Sequence, residues 1–469
     1  KMRRDVLKRW KRSVLVKYTG GTFADQMRML DKLPVPTVVH LVDYLHGGFD
    51  KQYPDHLPPH PSKGTPQQFK ALIQHARELG HLVMPYTNPT WWCDDPKGPT
   101  FIKHGNAPLL RRLDGKLQRE QYGRKWGWSI CPWHPAVIEA ADRICEQFTR
   151  EYPVDILFQD QVGARGMQYD TNPASPTPYA YTQGIINLAK RAAKVIPVST
   201  ENGFDRLINT EAQFCGITWQ LVPTKGAPPW RRLYRDWLSD DVWEFFPLAY
   251  FIAHDKVIFA HHDLGQFVTD REMLVWTLAI GYEMSYAISP FGLKMPHAHN
   301  WLLYLDRIQK AIASRYIGAP LISFRYLKGS GSKGVLESVF RGVRIIANLT
   351  NEPFAHSNVV IAPMGFHAIA DDAEAGIFTV YAGRKYEPED LWLICERSSN
   401  HIEISAFTRT AVVVAVRVDD ARKWSVKPRD ALVGRGANEL RLRFVPAQVG
   451  EVQIPSSPHR ELVVVELVL

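Results

Sequence analysis

Three carboxylates in this 469-residue chain arrive directly after short apolar runs. Asp160 follows Ile156 to Phe158, Glu201 follows Ile196 to Val198, and Asp263, preceded by His261 and His262, follows Val257 to Phe259. A charge at the end of a buried strand is costly without partners. One such residue alone reads as a polar strand cap, whereas three at separate strand ends read as a site. Two opposed carboxylates can cleave an acetal: one attacks the anomeric carbon, and the other protonates the departing oxygen and later activates water. That double displacement asks for carboxyl groups about 5–5.5 Å apart, and neighbouring strands in a sheet lie about 4.8 Å apart. Asp160, the shorter side chain on the more apolar strand, is the expected nucleophile, held ionised by donors such as Gln161. Glu201 is the expected acid/base, with Asn202 beside it for a sugar hydroxyl. Asp263 is expected to grip the sugar ring with His262.

Further candidates close other strands. Asp43 ends the run from Val38, and Asn88 follows Leu82 to Tyr86, with Trp91 and Trp92 directly beyond. Trp91, Trp92 and Trp219, together with Trp128, are flat apolar faces of the kind that stack on sugar rings, and an adjacent pair is hard to bury entirely.

For these ends to meet, their strands must run parallel and finish on one face. Strands are expected at Val14–Tyr18, Val38–Tyr44, Leu82–Tyr86, Ile156–Phe158, Ile196–Gly203, Phe214–Trp219, Val257–Asp263 and Met284–Ser289. Helical periodicity falls between most of them, over about 22–33, Gln67–Leu79, Pro135–Glu151, Tyr179–Val195, about 270–282 and Trp301–Tyr316. Gly80 supplies a normal stop for the second helix. Eight strands alternating with helices describe an α/β fold, a (β/α)8 TIM barrel over residues 1–319, whose catalytic residues belong at the C-terminal strand ends. A polar, basic excursion over about 93–131 interrupts it after the third strand. From 320 to 469 the texture changes to short β-rich runs between turns, the pattern of an all-β sandwich.

Composition excludes more than it assigns. Hydrophobic residues are 45% and charged residues 22% of the chain, an ordinary globular balance. No run of about 18 apolar residues occurs, so neither a transmembrane helix nor a membrane partner is expected. The first residues are charged rather than apolar, so this chain shows no signal peptide. A trimmed secreted or periplasmic protein would read the same way. The net charge of +9 is local: Lys1 to Arg12 and the segment 97–125 each carry about +6, leaving the rest slightly acidic. No nucleic-acid module frames that charge, so no nucleic-acid partner is expected. The insert's Arg111, Arg112, Arg119, Arg124 and Lys125 would instead favour an anionic carbohydrate at the barrel mouth. Five dispersed cysteines (93, 131, 145, 215 and 395) form no metal-ligand spacing. With no HExxH or phosphate-binding loop either, no metal or cofactor is expected. Cys93 and Cys131 bracket the insert and could close it as a disulfide in an oxidising compartment, though free buried thiols are the expectation.

The placement of Asp160 on strand four, Glu201 on strand five and His262-Asp263 on strand seven resembles the α-amylase clan of glycoside hydrolases. Its Asp and Glu positions are also similar to those of endo-α-N-acetylgalactosaminidases, which share the long insertion after strand three and the C-terminal β-sandwich. The phrases DILFQDQVG, STENG and NLTNEPF…IAPMGF look like a bacterial group of barrel proteins with little assigned biochemistry. The resemblance implies a glycoside hydrolase that cleaves α-glycosidic bonds of an oligo- or polysaccharide with retention. Two positions depart from the amylase pattern: Phe158 stands where that clan has Arg, and His261 where it has Asn. Starch is therefore not the expected substrate. Layouts with glutamates after strands four and seven, or an acid after strand six, fit worse. The competing expectation is a carbohydrate-binding barrel without catalysis, which has no need of an opposed Asp and Glu.

Overall fold

The computed structural model describes residues 4–94, 98–218, 221, 233–262, 266–289, 296–446 and 460–469. Eight parallel strands form its first sheet: β1 Leu15–Tyr18, β2 Val38–Leu41, β3 Leu82–Thr87, β4 Leu157–Gly163, β5 Val198–Asn202, β6 Gln213–Cys215, β7 Ile258–Ala260 and β8 Ser285–Ile288. Their order is β7-β6-β5-β4-β3-β2-β1-β8, a nearly closed barrel in which β4 and β5 are neighbours. All four residues of β2 and all six of β3 are buried, which is why these strands read as continuous apolar runs.

Local signals start and stop the helices between them. Thr22 with Asp25 and Thr65 with Gln68 form reciprocal capping boxes at the starts of helices Phe23–Leu30 and Pro66–Glu78. Phe69, Leu72, Ile73 and Ala76 line the buried face of the second. The alternation of strand and helix is incomplete. Between β5 and β6 lies one 3-10 turn, Asp205–Leu207, because the ten residues 203–212 are too few for a full helical crossover.

The insert after β3 is an ordered structure. Trp91–Cys93, Lys125–Ser129 and Arg119–Tyr122 make a three-stranded antiparallel sheet, and Pro99–His104 is a short helix. This corrects the expected role of Trp91 and Trp92. Neighbouring residues on a strand face opposite ways, and here both faces are covered, leaving Trp91 0% and Trp92 1% exposed. Trp91 packs edge-on to Tyr122 at 5.2 Å and to Tyr53 at 6.1 Å. Its ring also lies against Gly127, where a Cβ would come within 2.3 Å of it. Neither tryptophan offers a face to a ligand. Cys93 and Cys131 are buried thiols that are not joined by a disulfide.

The chain divides into two compact units, and all eight barrel strands lie in the one built from Lys1–Thr218, Lys256–Gly265 and Ser285–Leu293. The other unit contains helices Leu248–Ala253, Arg271–Ala279 and Pro296–Ile308 and the C-terminal sheets. There a twelve-stranded antiparallel sheet runs between Leu321 and Val468, beside a three-stranded one of Val412–Arg417, Glu439–Phe444 and Leu432–Arg435. Ile346, Phe378, Leu393 and Ile404 of the larger sheet share one core with Val414, Leu440, Leu442 and Phe444 of the smaller.

Candidate active site

The site begins where β4 leaves regular pairing. Gln159 pairs with Thr200, and the next paired residues are Gly163 and Asn202. Asp160, Gln161 and Val162 therefore stand opposite Glu201 alone, a bulge of the sort that re-aims side chains. Gly163 closes the bulge against β5. A Cβ there would sit 2.6 Å from the Glu201 carbonyl oxygen, so only glycine lets the two backbones meet. Its N–H donates to Thr200 Oγ1 at 2.7 Å. The residues after the two carboxylates, Gln161 (φ 62°) and Asn202 (φ 52°), are both left-handed. Such backbone persists in non-glycine residues when the surroundings over-determine it.

Asp160 is half-buried, and Asn88 Nδ2 at the end of β3 donates to its Oδ2 at 3.0 Å. The same Nδ2 reaches Gln161 Oε1 at 3.1 Å. Asn88 is thus the donor expected of Gln161, whose amide oxygen accepts here. Asn88 is fixed in turn: its N–H donates to His56 Nε2 at 2.9 Å, and Thr90 N–H donates to its Oδ1 at 3.0 Å. Burial holds His56 down to about 4, so its ring is neutral at pH 7 and can accept. Tyr86 lies beside Asp160. Burial, and then the charge of Asp160, pushes its hydroxyl well above the usual phenol range.

Glu201 meets His262 across an intervening strand. β6 lies between β5 and β7, yet His262 Nε2 is 2.8 Å from Glu201 Oε1. Gly216 at the end of β6 makes this possible. Its φ is +103°, and a Cβ there would be 2.5 Å from His262 Cδ2. The imidazole is 2% exposed and the Glu201 side chain 17%, so the ring is buried behind a carboxylate that reaches the surface in part. Burial alone holds the neighbouring His261 down to about 3, hence neutral.

The structure joins Asp160, Gln161 and Asn88 in one network, and Glu201 with His262 in another on the adjoining strand. His262, expected to serve the sugar beside Asp263, also contacts Glu201. Asn202 is half-buried at the end of β5. Asp43 takes the Gly20 N–H and lies 3.4 Å from Lys63 Nζ, joining the β1 and β2 exits. Asp263 and Trp219 lie outside the described residues. Sequence reasoning missed Tyr86 and the loop after β2, which brings Phe49, half-exposed, within 4.8 Å of the Tyr86 ring. Phe49 and Tyr53, two aromatics close together in the exit of β2, were the available signal. Among the described residues, no group of three or more His, Cys, Asp and Glu is arranged to hold a metal ion, and no helix is long and apolar enough to cross a membrane.

A barrel with opposed acidic networks at adjoining strand ends can be set beside known proteins. A family model described as a domain of unknown function, DUF6259, matches residues 6–180, the portion running from before β1 to beyond Asp160. No curated protein matches. Among solved structures, the ligand-free α-N-acetylgalactosaminidase NagBb from Bifidobacterium bifidum is 16% identical, with TM-score 0.57 over 74% of this chain and 57% of that one. Its GalNAc complex gives 15% and 0.57 over the same shares. A noncanonic maltogenic α-amylase, AmyB from Thermotoga neapolitana, is 12% identical with TM-score 0.48, over 98% of this chain and 100% of that one. At these identities, what this chain shares with NagBb is the fold. It spans little more than half the length of NagBb.

Proposed function

We propose that this chain is a glycoside hydrolase that cleaves α-glycosidic bonds with retention, with Asp160 as nucleophile and Glu201 as acid/base. Residues 1–319 are read as the catalytic barrel and 320–469 as the accessory β-sandwich. The observation that supports the proposal is the β4 bulge, which puts Asp160 across from Glu201 on the neighbouring strand, since strands about 4.8 Å apart suit a reaction that asks for carboxyls about 5–5.5 Å apart. Asn88 supports the nucleophile by donating to Oδ2, since a hydrogen bond to the charged form favours it. If His262 donates its Nε2 hydrogen to Glu201 Oε1, the proton for the leaving group sits on Oε2. Asn202 and Asp263 are assigned to sugar hydroxyls in the same subsite.

The test is hydrolysis of a panel of p-nitrophenyl α- and β-glycosides, including the α-N-acetylgalactosaminide because of the likeness to NagBb. Anomer-resolved NMR of the first product identifies the stereochemistry. Retention, together with a loss of about 10³-fold or more in Asp160→Asn at unchanged fold, supports the proposal. Inversion sinks the nucleophile role. A folded Asp160→Asn keeping more than about a tenth of parent turnover sinks the assignment altogether. Saccharide binding without turnover would identify a carbohydrate-binding barrel instead.

A further inference from the structure

Behind Asp160 lies a buried cation that the proposed chemistry does not itself use. Arg165 follows the β4 bulge and is 7% exposed, yet its guanidinium is satisfied on every side. Nη1 lies 2.8 and 2.7 Å from the two carboxylate oxygens of Glu120 and 3.1 Å from Ser129 Oγ, both in the insert. Nε donates to Thr90 Oγ1 at 3.1 Å, and Nη2 to Gln161 Oε1 at 2.8 Å. Glu120 is itself held by Ser129 Oγ at 2.6 Å and Tyr122 OH at 3.0 Å.

We infer that Arg165 is a positioning residue for Asp160, acting through Gln161, Thr90 and Asn88, with Glu120 of the insert as its counter-charge. This rests on the proposed role of Asp160. The argument is one of hydrogen-bond polarity. A guanidinium has only donors, whereas an amide can turn either end toward a neighbour. Arg165 therefore obliges Gln161 to present its oxygen. That oxygen can accept only from the Nδ2 end of Asn88, and the same Nδ2 then faces Asp160. The other end of Asn88 accepts from the N–H and Oγ1 of Thr90. Arg165 thus grips Gln161 and Thr90, the two residues that flank the Asn88 side-chain amide on either end. Without it, Gln161 is free to flip, its NH2 would confront that of Asn88, and Asn88, tied to the Thr90 N–H only through Oδ1, would be pushed off the carboxylate.

Two features separate this from a salt bridge that merely fastens the insert. Lysine could neutralise Glu120 but could not fork to Thr90 and Gln161 as well. The contact is also made to Gln161 at φ 62°, a backbone state that glutamine adopts when something holds it. The insert's contribution to the site is then an acid facing inward, Glu120, beside whatever its basic residues do at the surface.

The experiment compares Arg165→Lys, the charge-free pair Arg165→Met with Glu120→Gln, and Gln161→Asn, which suits left-handed backbone but is too short to reach Arg165. Arg165→Met alone would strand Glu120 and is a poor test of anything but folding. Each folded variant is read in two ways: the acidic limb of kcat/KM on the best p-nitrophenyl glycoside, and the Asp160 carboxyl titration followed by 13C NMR, which needs no turnover. The expected result in Arg165→Lys and Gln161→Asn is an upward shift of about one pH unit in both, since the charged carboxylate loses its oriented donor. A fall of about tenfold in kcat should accompany it, with KM little changed. A folded Arg165→Lys or Gln161→Asn with parent titration and parent limb overturns the inference. Asp160→Asn is measured alongside. If it stays active while the NMR shift is present, the catalytic reading fails but the positioning of Asp160 stands; if it is inactive and the shift is absent, only the positioning fails.

Discussion

Replacing Asn88 by Asp is the sharpest single perturbation of the proposed nucleophile. The change is isosteric and keeps the acceptor oxygen used by Thr90, but it turns a donor 3.0 Å from Asp160 Oδ2 into a second carboxylate oxygen. Two unit charges at that distance repel by about 5 kcal/mol at an effective dielectric of about 20. Asp160 is half-buried, so solvent screening roughly halves this, to about 2–3 kcal/mol. At about 1.4 kcal/mol per unit, that is about two pH units. The sign is upward, since a like charge and a lost donor both disfavour the ionised carboxyl. The pair will share a proton and titrate together, so the shift belongs to the pair. Asn88→Ala removes the donor without adding charge, and water replaces part of it, so about one unit is expected. The assay is kcat/KM against pH on the most reactive aryl glycoside, whose acidic limb reports the essential base of the free enzyme. Asn88→Asp should move that limb by about two units and Asn88→Ala by less, while activity above pH 8 recovers in both. An unmoved limb in folded Asn88→Asp would refute the reasoning, because no ionised catalytic Asp160 could ignore a carboxylate at 3.0 Å.

Glu201→Gln should lose about 10³-fold or more on alkyl glycosides and far less on dinitrophenyl glycosides, which need little protonation; equal losses would reduce Glu201 to a binding residue. Gly216→Ala should displace His262 from Glu201, because its Cβ would lie 2.5 Å from the ring, and lower kcat at least tenfold. The double variant with His262→Ala should be no worse than the singles, and additive losses would break the proposed coupling. Trp91→Ala should cost about 3–5 kcal/mol in urea unfolding, as for a fully buried ring; a weakened KM without that loss would restore its expected role as a sugar platform. If the substrate is anionic, turnover of a sulfated or uronate polymer should fall between about 10 and 500 mM salt, while neutral aryl glycosides respond little. Neutralising exposed Arg112, Arg119 and Arg124 should abolish that difference, and an identical salt response of both substrates would leave the insert no electrostatic role.

The strands were legible because burial on both faces writes a continuous apolar run, as in Val38–Leu41 and Leu82–Thr87. The end of the second helix was legible because its stop signal is local, at Gly80. What could not be read comes from partners far apart in sequence. Gly163 has no neighbour in sequence that explains it, because its constraint is the Glu201 backbone on the next strand. The tryptophan pair looked exposed because nothing local says that Tyr53 and Tyr122 will cover it. Gln161 was expected to donate to Asp160 because it is adjacent, but a bulge turns the adjacent residue away and leaves the task to Asn88, 72 positions earlier. Positive φ sharpens the point. Asparagine tolerates left-handed backbone, so Asn202 needs little explanation, whereas glutamine does so rarely and must be held. Arg165 and Asn88 together supply that hold on Gln161. The carboxylates could thus be found from strand ends alone. The residues that aim them sit on three separate segments, β3, the β4 exit and the insert, and meet only when the barrel has formed.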